Sequence, residues 1–395
     1  MRIIALVLLL LSFTASPLWA ESLGDAVSDF GYNYFRSLNT EEGNTAVSPL
    51  SIHAAFAMLT LGSSGKTREE AEEVLRVNDA EIRQYQDFMK RLKPESDPLS
   101  LACRLFPAES LKLSTDYLQS SKESFGAAPQ ALDYSVPESA RQTINEWVSD
   151  NTGKLIEKLI PPNGINKSTE LVLANALYFK GRWQEPFIEP MTRPGTFHSP
   201  SGDLEVPMMS GDLSYALYHI DNSFQAVSLP YAESNLAMAF VMPLTTDDWS
   251  ATQRRLGPEL ITQLEKSSRE NGDYDFPLPK VRVTLPKFKV AQDSKPIPLL
   301  RLLGLNRMLG GSPELGRLSE TPTGFRVTEC FHQAVVEVDE KGTEAAAATA
   351  ITVARSMPSI LAQVVINRPF FFIIYDRESS APLFIGSVSN PKQEK

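Results

Sequence analysis

Recognisable catalytic chemistry is scarce in this chain. Its four histidines, His53, His198, His219 and His332, form no HExxH pair, no serine sits in a GxSxG elbow, and no GxGxxG follows a strand-like run. Gly65-Lys66-Thr67 ends like a phosphate-binding loop, but the glycine such a loop needs five places earlier is Thr60 here. These absences argue against an enzyme, and neither a cofactor nor a metal site is expected. Cysteine is almost missing: Cys103 and Cys330 are far apart and lack CxxC spacing, which excludes a disulfide framework and a zinc site but leaves free thiols or one bridge open. Basic clusters are sparse too. With a net charge of −10 and only Lys90, Arg91 and Lys93 grouped together, no nucleic-acid partner is expected, and that group reads as a solvated helix end in preference to a polyanion site, with glycosaminoglycan dependence left open. No stretch of 18 uninterrupted apolar residues is present, so no membrane span is expected.

What is present describes a folded, soluble protein. Apolar residues make up 42% and charged residues 22% of 395, ordinary globular usage and enough chain for a large core. Residues 1–20 carry Arg2, an apolar centre Ile3–Leu11 and a small residue, Ala20, before Glu21, the pattern of a secretory signal peptide. Export is therefore expected, with the mature chain occupying 21–395. Asn166-Lys167-Ser168 is a glycosylation sequon if the source is eukaryotic.

The first third reads helical. Leu23, Val27, Phe30 and Tyr34 fall at helical spacing, as do Ile52, Ala55, Phe56 and Leu59, and Thr67 with Glu70 resembles a capping box opening a stretch to Leu75. A further helix is centred on Ile144, Trp147 and Val148. From Leu171 the pattern changes to strands: Leu171–Phe179, Leu236–Met242, Val281–Val290, Ala334–Asp339, Phe370–Tyr375 and Leu383–Val388. Phe370–Tyr375 is apolar on both faces and belongs inside a covered sheet. No linker separates the helical part from the β part, so one intertwined α+β domain is expected.

One segment does not behave like a fold element. About twenty residues, 340–361, separate two strand-like runs where a tight hairpin needs only a few. Thr343–Ala354 has no proline, no glycine and a single charge, unlike a disordered linker. At period two, one face carries Thr343, Ala345, Ala347, Thr349, Ile351 and Val353, all small or β-branched. The other carries Glu344, Ala346, Ala348, Ala350, Thr352 and Ala354. Such a strand can slot into the middle of a sheet, where a proline would delete a ladder bond and an inward charge would be buried unpaired. The alternative on composition alone is an alanine-rich helical turn or an inert spacer. Beyond the segment, Arg355-Ser356 offers a basic and then a small side chain, a bond suited to a trypsin-like protease.

From about Leu23 to Pro391 the chain resembles the serpins. The matching stretches are Asn44–Ile52, Leu173–Trp183, Val206–Met209, Leu229–Tyr231, Leu285–Phe288, Val338–Ala346, Arg368–Phe370 and Pro382–Gly386. The resemblance implies a fold of three β-sheets and eight to nine helices with an exposed reactive-centre loop, held metastable. It implies an inhibitor of serine proteases, a monomer, in which the cleaved loop inserts into the largest sheet and traps the acyl-enzyme. It makes Glu340, Gly342, Thr343, Ala345, Ala347 and Thr349 the hinge, with Glu340 and Lys287 a pair where the loop enters. It makes Ser48, Ser51, Asn175 and His332 a polar cluster beneath the strands that part; without it, His332 reads as an ordinary core histidine. Counting from Gly342, family spacing places the cleaved bond at Ser356-Met357, whereas Arg355-Ser356 suits the shorter spacing of some members. Arg355 is the favoured bait residue, and Ser356 would point to an elastase-like target. A non-inhibitory carrier, chaperone or storage serpin is the rival reading, against which the small hinge residues argue.

Overall fold

The computed structural model describes residues 22–41, 43–92, 99–179, 181–267, 280–319, 326–343 and 360–393. The leader 1–20 and the loop residues 344–359 lie outside the described residues. Ten α-helices are present among those described: α1 (Leu23–Arg36), α2 (Pro49–Gly62), α3 (Gly65–Leu75), α4 (Asp79–Ile82), α5 (Tyr85–Leu92), α6 (Thr115–Phe125), α7 (Pro137–Asn151), α8 (Trp249–Arg255), α9 (Pro258–Ser267) and α10 (Ile297–Leu302). The strands form three main sheets. The first runs β1 (Thr45–Val47), β16 (Pro382–Val388), β15 (Phe370–Asp376), β9 (Leu236–Pro243), β8 (Phe224–Pro230), β7 (Leu217–Ile220). The second runs β14 (Ile360–Val365), β10 (Lys280–Pro286), β6 (Gly202–Leu213), β5 (Arg193–Ser199). The third runs β11 (Phe288–Ser294), β12 (Glu329–Val338), β3 (Leu171–Phe179), β2 (Leu99–Pro107). A short ladder pairs β13 (Gly342–Thr343) with β4 (Gly181–Arg182).

Local chemistry accounts for the helices that matter here. Ser48 caps α2, accepting the Ser51 N–H at 3.3 Å, with Pro49 pre-set at the first helical position. Helix α2 is buried nearly all round because it runs through the main core. Helix α3 differs from the sequence expectation. No capping box forms between Thr67 and Glu70; instead the Glu314 carboxylate from a distant loop accepts the Thr67 N–H at 3.0 Å, and Glu70 turns to the Arg307 N–H at 2.7 Å. The acid that caps the helix comes from 247 residues away in sequence, so no local pattern could reveal it. It also fills the position where a phosphate would have to bind at Gly65-Lys66-Thr67.

The run Val281–Val290 is two strands rather than one. It breaks at Pro286–Lys287, sending β10 to the second sheet and β11 to the third. Strand β15 lies wholly buried between β16 and β9, as its two apolar faces require. Strand β3 is buried at all nine positions. On one side Leu171, Leu173, Leu177 and Phe179 join the main core with α2; on the other Val172, Ala174 and Ala176 meet Ile144 and Val148 of α7.

Candidate functional site

The third sheet contains one parallel seam. Strands β11 and β12 pair antiparallel, as do β2 and β3, but β12 and β3 run parallel, from Glu329 opposite Val172 to Val335 opposite Tyr178. No strand lies between them. Parallel pairing is slightly weaker per residue than antiparallel, so this ladder costs less per residue to part than its neighbours in the sheet.

A polar cluster bridges the seam beneath it. His332 of β12 stands opposite Asn175 of β3. The Ser48 N–H donates to His332 Nε2 at 3.0 Å, so Nε2 is the bare nitrogen and Nδ1–H donates to Asn175 Oδ1 at 2.9 Å. The Asn175 amide in turn donates to the Ser51 carbonyl, and the Ser51 hydroxyl donates to the Ser48 carbonyl at 3.0 Å. All four residues are buried, and burial pulls the His332 pKa down to about 3. The neutral ring therefore has a fixed tautomer, and a proton on Nε2 would face the Ser48 N–H donor to donor. The structure thus brings together Ser48, Ser51, Asn175 and His332, with the cap of α2 supplying two of them.

At the upper end of the seam the chain leaves β12 and turns back. Asp339 Oδ1 accepts the Lys341 and Gly342 N–H groups at 2.8 and 3.1 Å. The Lys341 and Glu340 carbonyls accept the Trp183 and Phe187 N–H groups at 2.9 and 2.8 Å. The Glu340 carboxylate receives Lys287 Nζ and the Thr192 hydroxyl, each at 2.7 Å. Burial pushes this carboxyl up, but the bonds from Lys287 and Thr192 outweigh it and hold it below the usual carboxylate range. Gly342 then pairs with Arg182 and Thr343 with Gly181. Thr343 is 2% exposed, and its hydroxyl lies 2.8 Å from the Tyr231 hydroxyl. Tyr231 stacks on Trp183 at 4.7 Å between centroids, and Phe179 meets its ring edge-on. Trp183 and Tyr231 were not expected as partners of the hinge; they fall in the serpin-like stretches Leu173–Trp183 and Leu229–Tyr231, but no local pattern assigns them this contact.

Of the remaining expected positions, Ala345, Ala347, Thr349, Arg355, Ser356 and Met357 lie outside the described residues. Asn166 is exposed, and its Oδ1 accepts the Ser168 N–H and hydroxyl at 2.8 and 2.6 Å. Cys103 and Cys330 are buried free thiols, and burial pushes Cys103 up to about 12. The basic group near Lys90 is neutralised locally: Arg91 pairs with Asp376 at 3.0 Å and Glu378 at 2.7 Å, and Lys90 with Asp87 at 3.1 Å. Among the described residues no cluster of three or more His, Cys, Asp or Glu is placed to hold a metal ion, and no helix is long and apolar enough to cross a membrane.

Comparison with known proteins agrees with this geometry. A family model described as serpin (serine protease inhibitor) matches residues 25–391. The leukocyte elastase inhibitor of Bos taurus is 32% identical over 379 residues, covering 94% of this chain and 100% of the relative. Alpha-1-antitrypsin 1-5 of Mus musculus is 31% identical over 387 residues, covering 94% of this chain and 90% of the relative. Among solved structures, the thermophilic serpin tengpin in its native state is similar with a TM-score of 0.82 at 25% identity, over 94% of each chain.

Proposed function

The chain belongs to the serpin family, and from that membership we propose that it is a secreted inhibitor that traps serine proteases of trypsin-like specificity by inserting its cleaved loop into the third sheet. One observation carries the reading. The seam between β12 and β3 is closed, while Gly342 and Thr343 already pair with Arg182 and Gly181 in the register an inserted strand needs. Continued down β3 without a bulge, that register sets Ala345 opposite Phe179, Ala347 opposite Leu177, Thr349 opposite Asn175, Ile351 opposite Leu173 and Val353 opposite Leu171. These are the main-core positions of β3, so the small and branched face of the loop turns inward. The alanine face, Ala346 to Ala354, then falls under α7, where space is limited.

The chemistry follows from this placement. The target's serine attacks the bait bond and forms its acyl-enzyme, and the cut releases the loop from β14. The hinge zips down the seam with the protease attached to its far end. Thr349 arrives between Asn175 and His332, offering a hydroxyl that takes over the hydrogen bonds their separation breaks. Arg355 supports a trypsin-like target because a guanidinium supplies full charge and five donors to an acidic pocket. A second reading, cleavage after Ser356 by an elastase-like enzyme, is favoured by family spacing and by the relative named leukocyte elastase inhibitor.

The test is to incubate the mature chain, beginning at Glu21, with trypsin and with pancreatic elastase, run denaturing gels and sequence the released carboxy-terminal fragment. A covalent complex with a fragment starting at Ser356 supports the proposal, and one starting at Met357 moves the bait to Ser356. Cleavage without any complex rejects inhibition in favour of a carrier or storage role. Amino-terminal sequencing of protein secreted from an expressing cell tests export, with Glu21 expected first.

A further inference from the structure

The contact between Thr343 and Tyr231 is more than core packing. Gly342, at φ +148°, pairs with Arg182 next to Gly181, and the backbones approach so closely that a Cβ on Gly342 would strike the Gly181 carbonyl. A Cβ on Gly181 would strike the Phe179 and Tyr231 rings. The result is a socket walled by Phe179, Trp183 and Tyr231, shaped for a strand that comes within ladder distance, and the first two loop residues already sit in it. The Tyr231 phenol is the only hydroxyl that receives Thr343 among the described residues, and burial pushes its pKa up, so it stays neutral.

Starting a new strand pairing is the costly step, because loop-closure entropy is lost before ladder bonds form. In this molecule the first two pairs are made before any protease arrives. We propose that Tyr231 is a positioning residue for loop insertion: its hydroxyl, bonded to Thr343, keeps the hinge docked at the top of the seam so that insertion propagates from a formed start. This rests on the inhibitor reading, in which insertion races against deacylation of the protease. A hinge that undocks loses time in that race, and more inhibitor is cut without trapping.

The experiment compares the unmodified chain with Tyr231→Phe, Thr343→Val, Thr343→Ser and the Tyr231→Phe/Thr343→Val double variant, using trypsin, or elastase if only that enzyme forms the complex. Two quantities are read: the second-order rate of acylation, and the excess over one of the moles of inhibitor used per mole of protease trapped. One buried hydrogen bond is expected to raise that excess about five-fold in Tyr231→Phe and Thr343→Val, with the acylation rate unchanged. Thr343→Ser keeps the hydroxyl and is expected within two-fold of the unmodified chain, and the double variant no worse than either single one, since an unpartnered group costs more than an absent pair. A complex from the unmodified chain together with an unchanged excess in Tyr231→Phe overturns the role of Tyr231 alone. No complex from the unmodified chain with either protease overturns the inhibitor reading on which it rests.

Discussion

His332 shows how much one side chain can be made to do when both ring nitrogens are assigned. It accepts from Ser48 and donates to Asn175, so it ties the start of α2 to both strands of the seam. His332→Ala leaves a buried N–H and a buried amide oxygen without partners, and a loss of about 2–4 kcal/mol in urea unfolding is expected. The pH dependence follows from its neutrality and from His53, whose pKa burial also lowers, to about 4, while its ring bridges Tyr85 and the Leu75 carbonyl. Both histidines bind a proton near pH 6.5 when unfolded and only far lower when folded. Their contribution is therefore fully present above pH 6.5 and is lost as the pH falls toward the folded values, by about 2 kcal/mol for each at pH 5. Urea midpoints recorded from pH 7.5 down to pH 5 check this, and a flat profile between pH 6.5 and 5 would reject it. The slope should be about halved in His332→Gln.

Among elements, the hinge and the seam strands carry the argument. Placing a proline at Ala347 removes one ladder donor in the middle of the proposed inserted strand, opposite Leu177, without touching a described contact. The variant should fold with an unchanged melting temperature and be cut at the normal rate, yet leave no covalent complex on a denaturing gel. Leu171–Phe179 was legible as a strand from its β-rich composition, though not that both its faces are covered, and the small and branched face of Thr343–Val353, read at period two, lies beyond Thr343 outside the described residues. The polar cluster and the Lys287–Glu340 pair came from family resemblance, since Ser48, Asn175 and His332 are far apart in sequence and each alone reads as a cap or a satisfied core group. The Glu314 cap of α3 and the division of Val281–Val290 between two sheets were not legible. One depends on a contact across 247 residues, the other on a single Pro286–Lys287 break inside a continuous β-rich run.

For the whole molecule, insertion would exchange one parallel ladder, Glu329–Val335 against Val172–Tyr178, for two antiparallel ladders flanking about eleven new residues. A net gain of about ten hydrogen bonds at about 1 kcal/mol each predicts that the cleaved form melts about 10–15 °C above the intact one by scanning calorimetry. On the proposed mechanism, what delays that exchange in the uncut chain is β14, which pairs parallel with β10 from Lys280 opposite Ile360 to Thr284 opposite Val365 and anchors the far end of the loop in another sheet. Val364→Asp, a charge at a buried β14 position, should let the uncut chain lose inhibitory activity on warming while its mass stays intact by mass spectrometry. The same pairing bears on how the chain folds at all. The seam joins His332 to Asn175 across 157 residues, whereas a hairpin of β12 with its own following segment would join residues fewer than twenty apart. Low contact order favours the hairpin, so the shape the newborn chain must avoid is also the faster one to build. On the proposed mechanism, capture of β14 by β10 therefore has to come first, so that the uninserted form would be reached through the order of folding events rather than through its depth in free energy.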